Sequence, residues 1–267
     1  MARRSRRGTR MAIGALCVAL IGCATLPSRP PGGGGRSPQN PRAPRAPFVP
    51  VTTTLSFDGN TVPPFEDPSS EDERRSGRWS LGRWIAVDGQ YEQMKEAPTA
   101  TLMIRRYNGE ALGKPNGYAP SRYRFESTIQ AFKAADVPET NLAGSPVGLL
   151  AIIPYYLDST HYVLMEGIKN RYEVWFVDGM TPGDEWNADT SRKFNMDATP
   201  DIAVNQPIQL GAEVDTKQGA MKVYINGELK EVLQAPFIKD VQHSVALVSN
   251  GNYVAFKDVK LTPLSAD

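Results

Sequence analysis

Arg122-Tyr-Arg-Phe-Glu-Ser-Thr-Ile-Gln-Ala131 decides the fold class. Tyr123, Phe125 and Ile129 fall on one parity, while Arg124, Glu126, Thr128 and Gln130 occupy the other. Successive side chains of a strand point to opposite faces, so this stretch is a strand with one apolar and one polar face. Met221, Val223 and Ile225 repeat the rhythm against Lys222 and Tyr224, and Asn226-Gly227 follows at once. An Asn-Gly pair accepts the positive φ angles of a tight reversal, so a hairpin is expected there.

Working outward, the chain carries seven Asp-Gly or Asn-Gly pairs, beginning at residues 58, 88, 108, 116, 178, 226 and 250. Further short β-rich runs read at 54–58, 84–87, 90–95, 101–105, 147–153, 161–166, 171–177, 208–214, 244–249 and 254–261. No window of twelve residues carries a helical stripe, and 131–136 is at most one helical turn. The expectation is an all-β domain of about a dozen strands. The continuous apolar run Gly148-Leu-Leu-Ala-Ile-Ile153 predicts a strand buried on both faces. That favours two stacked antiparallel sheets, a β-sandwich, over a small open barrel.

Charge is unevenly placed. The chain has 30 Lys+Arg and 29 Asp+Glu, but its first 54 residues hold nine Arg and no acid. The other 213 residues are left with 21 basic and 29 acidic side chains, a net charge of −8. Such a domain has no surplus of positive charge for a phosphate-binding face, so nucleic acid is excluded as a partner.

The arginines begin the chain. Residues 1–10 are strongly basic, and 11–22 are apolar or small without a charge. Twelve residues rise only ~18 Å as a helix. A hydrocarbon core needs ~30 Å, so residues 1–22 read as a signal peptide rather than a permanent span. The segment ends in Leu20-Ile21-Gly22-Cys23, which resembles the lipobox of bacterial lipoproteins. The resemblance implies a lipid-modified, acylated Cys23 after cleavage at Gly22, and anchoring in a bilayer. Cys17 fits less well, because Leu16 before it is large. Ala24 rather than Asp follows Cys23, which implies the outer membrane in a Gram-negative host. An ordinary cleaved signal, or an uncleaved one that anchors the chain, is the alternative, with Cys23 incidental. Residues 23–52 then form a tether rich in Pro, Gly and Arg, with no composition from which to build a core. With Cys17 removed and Cys23 lipidated, the mature domain has no disulfide, no Cys-based zinc site and no Cys nucleophile.

Three stretches of residues 53–264 carry a family likeness. They are Phe57-Asp58-Gly59 with Trp84-Ile-Ala-Val-Asp88-Gly89-Gln-Tyr91, then Gly148-Leu-Leu with His161-Tyr162 and Glu173-Val-Trp175, then Val223-Tyr-Ile-Asn226-Gly227 with Val245-Ala-Leu and Phe256-Lys-Asp258. Together they resemble concanavalin A-like lectin and glucanase domains, jelly rolls that include laminin-G-type modules and family-16-like glycan hydrolases. The resemblance implies a carbohydrate or polysaccharide partner. Phe256 would plug the core, with the last strand pairing with the first.

Glycosidases of that class share a strand bearing Glu-x-Asp-x-x-Glu, whose carboxylates reach into one groove. The nearest run here is Glu173-Val-Trp175-Phe-Val-Asp178. Trp replaces the central acid, and Glu173 and Asp178 have opposite parity unless a bulge intervenes. No catalytic residue is assigned. There is no G-x-S-x-G elbow, and neither His161 nor His243 has a triad or metal spacing. Binding is easier to build. Glu173 and Trp175 share one strand face, Tyr162 and Glu166 stand on the preceding strand, and Arg124 and Glu126 supply polar partners from another. These six form the expected groove for a sugar, with aromatic faces for C–H groups and carboxylates for hydroxyls. The alternative places Trp175 in a core. Tyr107, Tyr118 and Trp186 offer a different, loop-borne rim, while Trp79 and Trp84 suit packing. No cofactor is called for. A structural calcium between Asp58 and Asp258 is the one metal the resemblance brings to mind. Two further functions stay open: a glycan hydrolase with other carboxylates, or a non-binding structural or adhesion module of the envelope.

Overall fold

A computed structural model describes residues 53–54, 65–66, 79–80, 82–94, 102–107, 118–133, 147–179, 191–250 and 253–265. Residues 1–22 expected as a signal peptide, Cys23, residues 24–52 expected as a tether, Asp58 and Trp186 lie outside the described residues. The fold is all-β, a sandwich of the concanavalin A-like jelly-roll type, with two stacked sheets of eight strands each among the described residues.

Sheet A runs β14 (Glu228–Gln234), β13 (Ala220–Ile225), β12 (Ile208–Asp215), β7 (Arg122–Lys133), β16 (Tyr253–Pro263), β5 (Gln90–Gln93) and β4 (Trp84–Val87), with β1 (Thr53–Thr54) beside β16. Sheet B runs β11 (Arg192–Asp197), β10 (Arg171–Asp178), β9 (His161–Ile168), β8 (Leu149–Asp158), β15 (Ser244–Asn250), β6 (Leu102–Tyr107) and β2 (Phe65–Glu66), with β3 (Trp79–Ser80) beside β6. Pairing is antiparallel throughout the described strands except between β3 and β6. Thr53 pairs with Leu261, so the first described strand meets the last.

The alternating stretch behaves as its pattern requires. β7 alternates between buried and half-buried residues almost to its end, and takes in 131–133 of the 131–136 expected to make a helical turn, the rest lying outside the described residues. Tyr123, Phe125 and Ile129 join Leu210, Val223 and Phe256 from their own sheet in one core with Leu150, Ile152, Val163, Val174 and Leu247 from sheet B. Trp84 packs at its margin, 5.2 Å from the Tyr91 ring and 5.7 Å from that of Phe256. His243 closes another part of it, stacked on Tyr155 at 4.9 Å and on Tyr123 at 5.5 Å.

Asp88-Gly89 and Asn226-Gly227 make two-residue hairpins with positive φ at both positions. Asn250-Gly251 joins no hairpin: β15 ends at Asn250 in sheet B and β16 begins at Tyr253 in sheet A. β11 and β14 escape the sequence pattern because each is an edge strand with mostly exposed residues.

Candidate functional site

The six residues expected in one groove are divided between the two sheets. Arg124 and Glu126 stand on β7 in sheet A, and Tyr162, Glu166, Glu173 and Trp175 on β9 and β10 in sheet B. Each set points away from the core that the sheets share, so the sets are on opposite outer faces of the sandwich.

On sheet B the expected proximity holds. Glu173 lies directly opposite Glu166 across the β9–β10 ladder, and Trp175 lies opposite Leu164. The Trp175 indole N–H donates to Glu166 Oε1 at 2.9 Å. Arg192 donates to Glu173 Oε1 at 3.1 Å and places its guanidinium 5.6 Å from the Trp175 ring centre, while Arg171 forms a 3.0 Å ion pair with Glu173 Oε2. This cluster is closed rather than open. Tyr162, Glu166, Glu173 and Trp175 are all buried, and Tyr162 and Trp175 belong to a second apolar cluster with Leu149, Ile153 and Val248. The core alternative for Trp175 is the observed one. Residue spacing told which side chains share a face; it carried no information on whether that face meets water.

The glycosidase-like run on β10 is also resolved. The β9 register is continuous from Arg171 to Asp178, and the irregularity between Val174 and Trp175 falls in the pairing with β11. Val174 and Phe176 face the inter-sheet core while Trp175 and Val177 face outward. Glu173 and Asp178 therefore project from opposite faces and cannot attack one bond together.

Sheet A presents its polar face more openly. Glu213 on β12 lies opposite both Arg124 and Lys222, and Gly211 lies opposite Glu126 and Tyr224. Arg124 Nε donates to Glu126 Oε2 at 2.8 Å, and its Nη1 stands 3.7 Å from Glu213 Oε1. Lys222 Nζ and the Tyr224 hydroxyl each donate to Glu213, at 2.9 and 2.8 Å. The Arg124 guanidinium lies 4.2 Å from the Tyr224 ring centre. Burial pushes the Glu213 carboxyl upward, but the hydrogen bonds from Lys222 and Tyr224 and the charges of Lys222 and Arg124 outweigh it and hold it below its ordinary range. An ionised carboxylate accepts hydroxyl protons and has none to give. A ring, a planar guanidinium and two carboxylates thus form a partly exposed platform on the outer face of sheet A.

Glu213, Lys222 and Tyr224 were not among the expected site residues. The signal was present: Lys222 and Tyr224 occupy the polar parity of β13, beside the polar parity of β7 once β12 is placed between them. Of the loop rim, Tyr118 is exposed, whereas Tyr107 is a core residue at 2% exposure. It sits in β6 with its ring 6.0 Å from that of Phe65. Asp258 is exposed, with φ of 49° where β16 shifts register, and among the described residues no three His, Cys, Asp or Glu converge on a metal position.

No family model matches the chain, and no curated protein matches it. Among solved structures it is similar to an endo-1,3-β-glucanase from Streptomyces sioyaensis, with 14% identity and a TM-score of 0.53, covering 84% of this chain and 100% of that one. It also matches the carbohydrate-binding module CBM66 from Bacillus subtilis, with 13% identity and a TM-score of 0.46, over 67% of this chain and 89% of that one. A third match is the Emp46p carbohydrate recognition domain in its metal-free form, with 9% identity and a TM-score of 0.47, over 78% and 95% of the two chains. At these identities the likeness to the glucanase establishes the jelly-roll fold and nothing about activity.

Proposed function

We propose that this chain is a membrane-anchored lipoprotein of the bacterial envelope whose β-sandwich binds carbohydrate without cleaving it. The observation that carries the binding is the sheet A platform, where Arg124 and Tyr224 stack beside Glu126 and Glu213 on a solvent-facing surface. Ionised carboxylates take sugar hydroxyls, and the stacked ring and guanidinium offer a flat surface to the C–H side of a sugar. Arg124 bridges both acids, and Glu213 is held ionised, so Glu213 is not suited to the proton-donating role that glycoside hydrolysis needs. The lipobox-like Leu20-Ile21-Gly22-Cys23 supports the anchor, and Ala24 supports an outer-membrane address.

The binding test applies the full chain to a glycan array, then incubates each retained glycan and chromatographs the products. Retention without released sugars is expected, and Arg124→Ala should weaken retention about tenfold, the worth of a lost charge-assisted hydrogen bond. Released sugars would replace this reading with the hydrolase. Failure to retain any glycan would leave the structural module. The anchor is tested separately by mass spectrometry of the membrane fraction, in which Cys23→Ser abolishes acylation and keeps the precursor uncleaved.

A further inference from the structure

The edges of the two sheets border an open cavity of about 290 Å³ that no sequence motif announces. Its walls come from both layers. Tyr172 on β10 and Met196 and Asp197 on β11 close it from sheet B, the segment from Thr199 to Gln206 crosses its end, and Asn226 and Lys230 approach from the β13–β14 hairpin of sheet A.

Two local features aim these groups. Asn226 sits in the left-handed region at φ 51°, where its Oδ1 accepts from the Gln209 backbone N–H at 2.9 Å, and its side chain also hydrogen-bonds Tyr172. Lys230 is the extra residue of a β-bulge: Leu229 pairs with Tyr224 and Glu231 with Val223, leaving Lys230 without a ladder position. Such a bulge re-aims one side chain, and here it brings Lys230 to the cavity wall, paired with Glu228. Tyr172, Met196 and Ile225 supply apolar surface between these polar groups.

We infer that this cavity is a second binding site, which takes one neutral sugar residue from the end of a glycan chain. Its volume lies just below the range of about 300–1,000 Å³ seen for small-molecule sites, room for a single ring rather than a run of them. Amide and carboxylate groups from Asn226, Gln206 and Asp197 match the alternating donors and acceptors of sugar hydroxyls. Asp197 and Glu228 outnumber Lys230 in the lining, so the site repels an anionic sugar and accepts an uncharged one. The inference rests on the carbohydrate reading above, but not on the platform that carries it.

The test titrates the ¹⁵N-labelled full chain with the methyl glycosides of glucose, galactose and mannose, and with glucuronic acid as the charged counterpart. A neutral glycoside is expected to shift the amides of Tyr172, Asp197, Asn226 and Lys230 saturably, and glucuronic acid to bind at least tenfold more weakly. Asp197→Ala and Lys230→Ala, both near the surface and so compatible with folding, should each weaken that binding about tenfold, while Arg124→Ala leaves it unchanged. A melting curve checks that each variant is folded. Shifts confined to the neighbourhood of Arg124 and Glu213, or array retention of polysaccharides without any monosaccharide response, would remove the cavity site and leave the carbohydrate reading standing. Absence of every glycan response would remove both.

Discussion

The two outer faces of this sandwich are made by the same kind of ladder and end in opposite states. On sheet A, β7 and β13 alternate buried with half-buried residues, and the outward side chains are Arg124, Glu126, Lys222 and Tyr224. On sheet B, β8, β9, β10 and β15 are buried at almost every position, and their outward side chains include Leu149, Ile153, Tyr162, Trp175 and Val248. A strand that buries one face alternates; a strand that buries both does not. The lesson concerns carboxylates as much as apolar groups. Glu173 on the covered face is 1% exposed and held by two arginines, so it acts as part of the packing, whereas Glu126 and Glu213 on the open face are 15% and 19% exposed.

Trp175→Ala breaks the comparison most severely if it is wrong. Trp175 is 5% exposed among apolar neighbours and donates to Glu166 Oε1, so its truncation should cost about 3–5 kcal/mol in urea unfolding. Tyr224→Ala, the aromatic truncation on the open face, should cost within about 1 kcal/mol. Equal costs would mean that the two faces are not different in kind.

Gly167→Ala sharpens it from the inner side of sheet B. A Cβ at Gly167 would stand 2.6 Å from Ile208 Cδ1, 3.2 Å from Ile202 Cδ1 and 3.3 Å from Tyr172 Cε1, so there is no room for it without these side chains shifting. The Ile tips can move, and the expected loss is about 1–3 kcal/mol of unfolding free energy. A neutral outcome would show that the inter-sheet packing at this point is loose.

Most of this architecture could be read from residues, and the reasons are local. The parity of Tyr123, Phe125 and Ile129 is a property of one strand, and Asn226-Gly227 carries its own turn, so both survive into the structure unchanged. The unbroken run 148–153 even announced that sheet B is buried twice. The site was less legible because a platform joins parities from three strands, β7, β12 and β13, whose order in the sheet is not written in any one of them. Arg124 and Glu126 were recognised as polar partners, but were joined to residues of the wrong sheet. The cavity was not legible at all: it depends on two edge strands, β11 and β14, and on a bulge that frees Lys230.

The interface between the sheets and the open face should also differ in how they answer to acid. His243 is 2% exposed between Tyr123 and Tyr155, with Asp240 nearby and its Nδ1 2.7 Å from the Val241 carbonyl oxygen. Burial lowers its affinity for a proton against the opposing pull of Val241 and Asp240. The unfolded chain then takes up a proton as pH falls through about 6.5 while the native state does not, so stability drops in that window. His243→Gln should flatten a plot of melting temperature against pH between about 7.5 and 5.5; an unchanged slope would show that this ring is not the group responsible.

Glu213 should be silent in that window and speak below it. Its carboxyl is held under the ordinary range, so its contribution is complete above the unfolded value near 4.5 and fades as pH falls through the lower folded one. Lys222 is 44% exposed, so solvent screens the pair, and Glu213→Gln should cost only about 0.2–1 kcal/mol at neutral pH. The informative quantity is the difference between the two pH curves. Asp158, Glu228 and Asp240 are also held low and remain in both proteins, so their acid losses cancel in that difference. The wild-type advantage should be constant from neutrality to about pH 5 and shrink below it. It should also shrink in high salt, because an open face is screened where a covered one is not. An advantage insensitive to both acid and salt would mean that Glu213 packs rather than pairs, and that the open face is no more available to a ligand than the closed one.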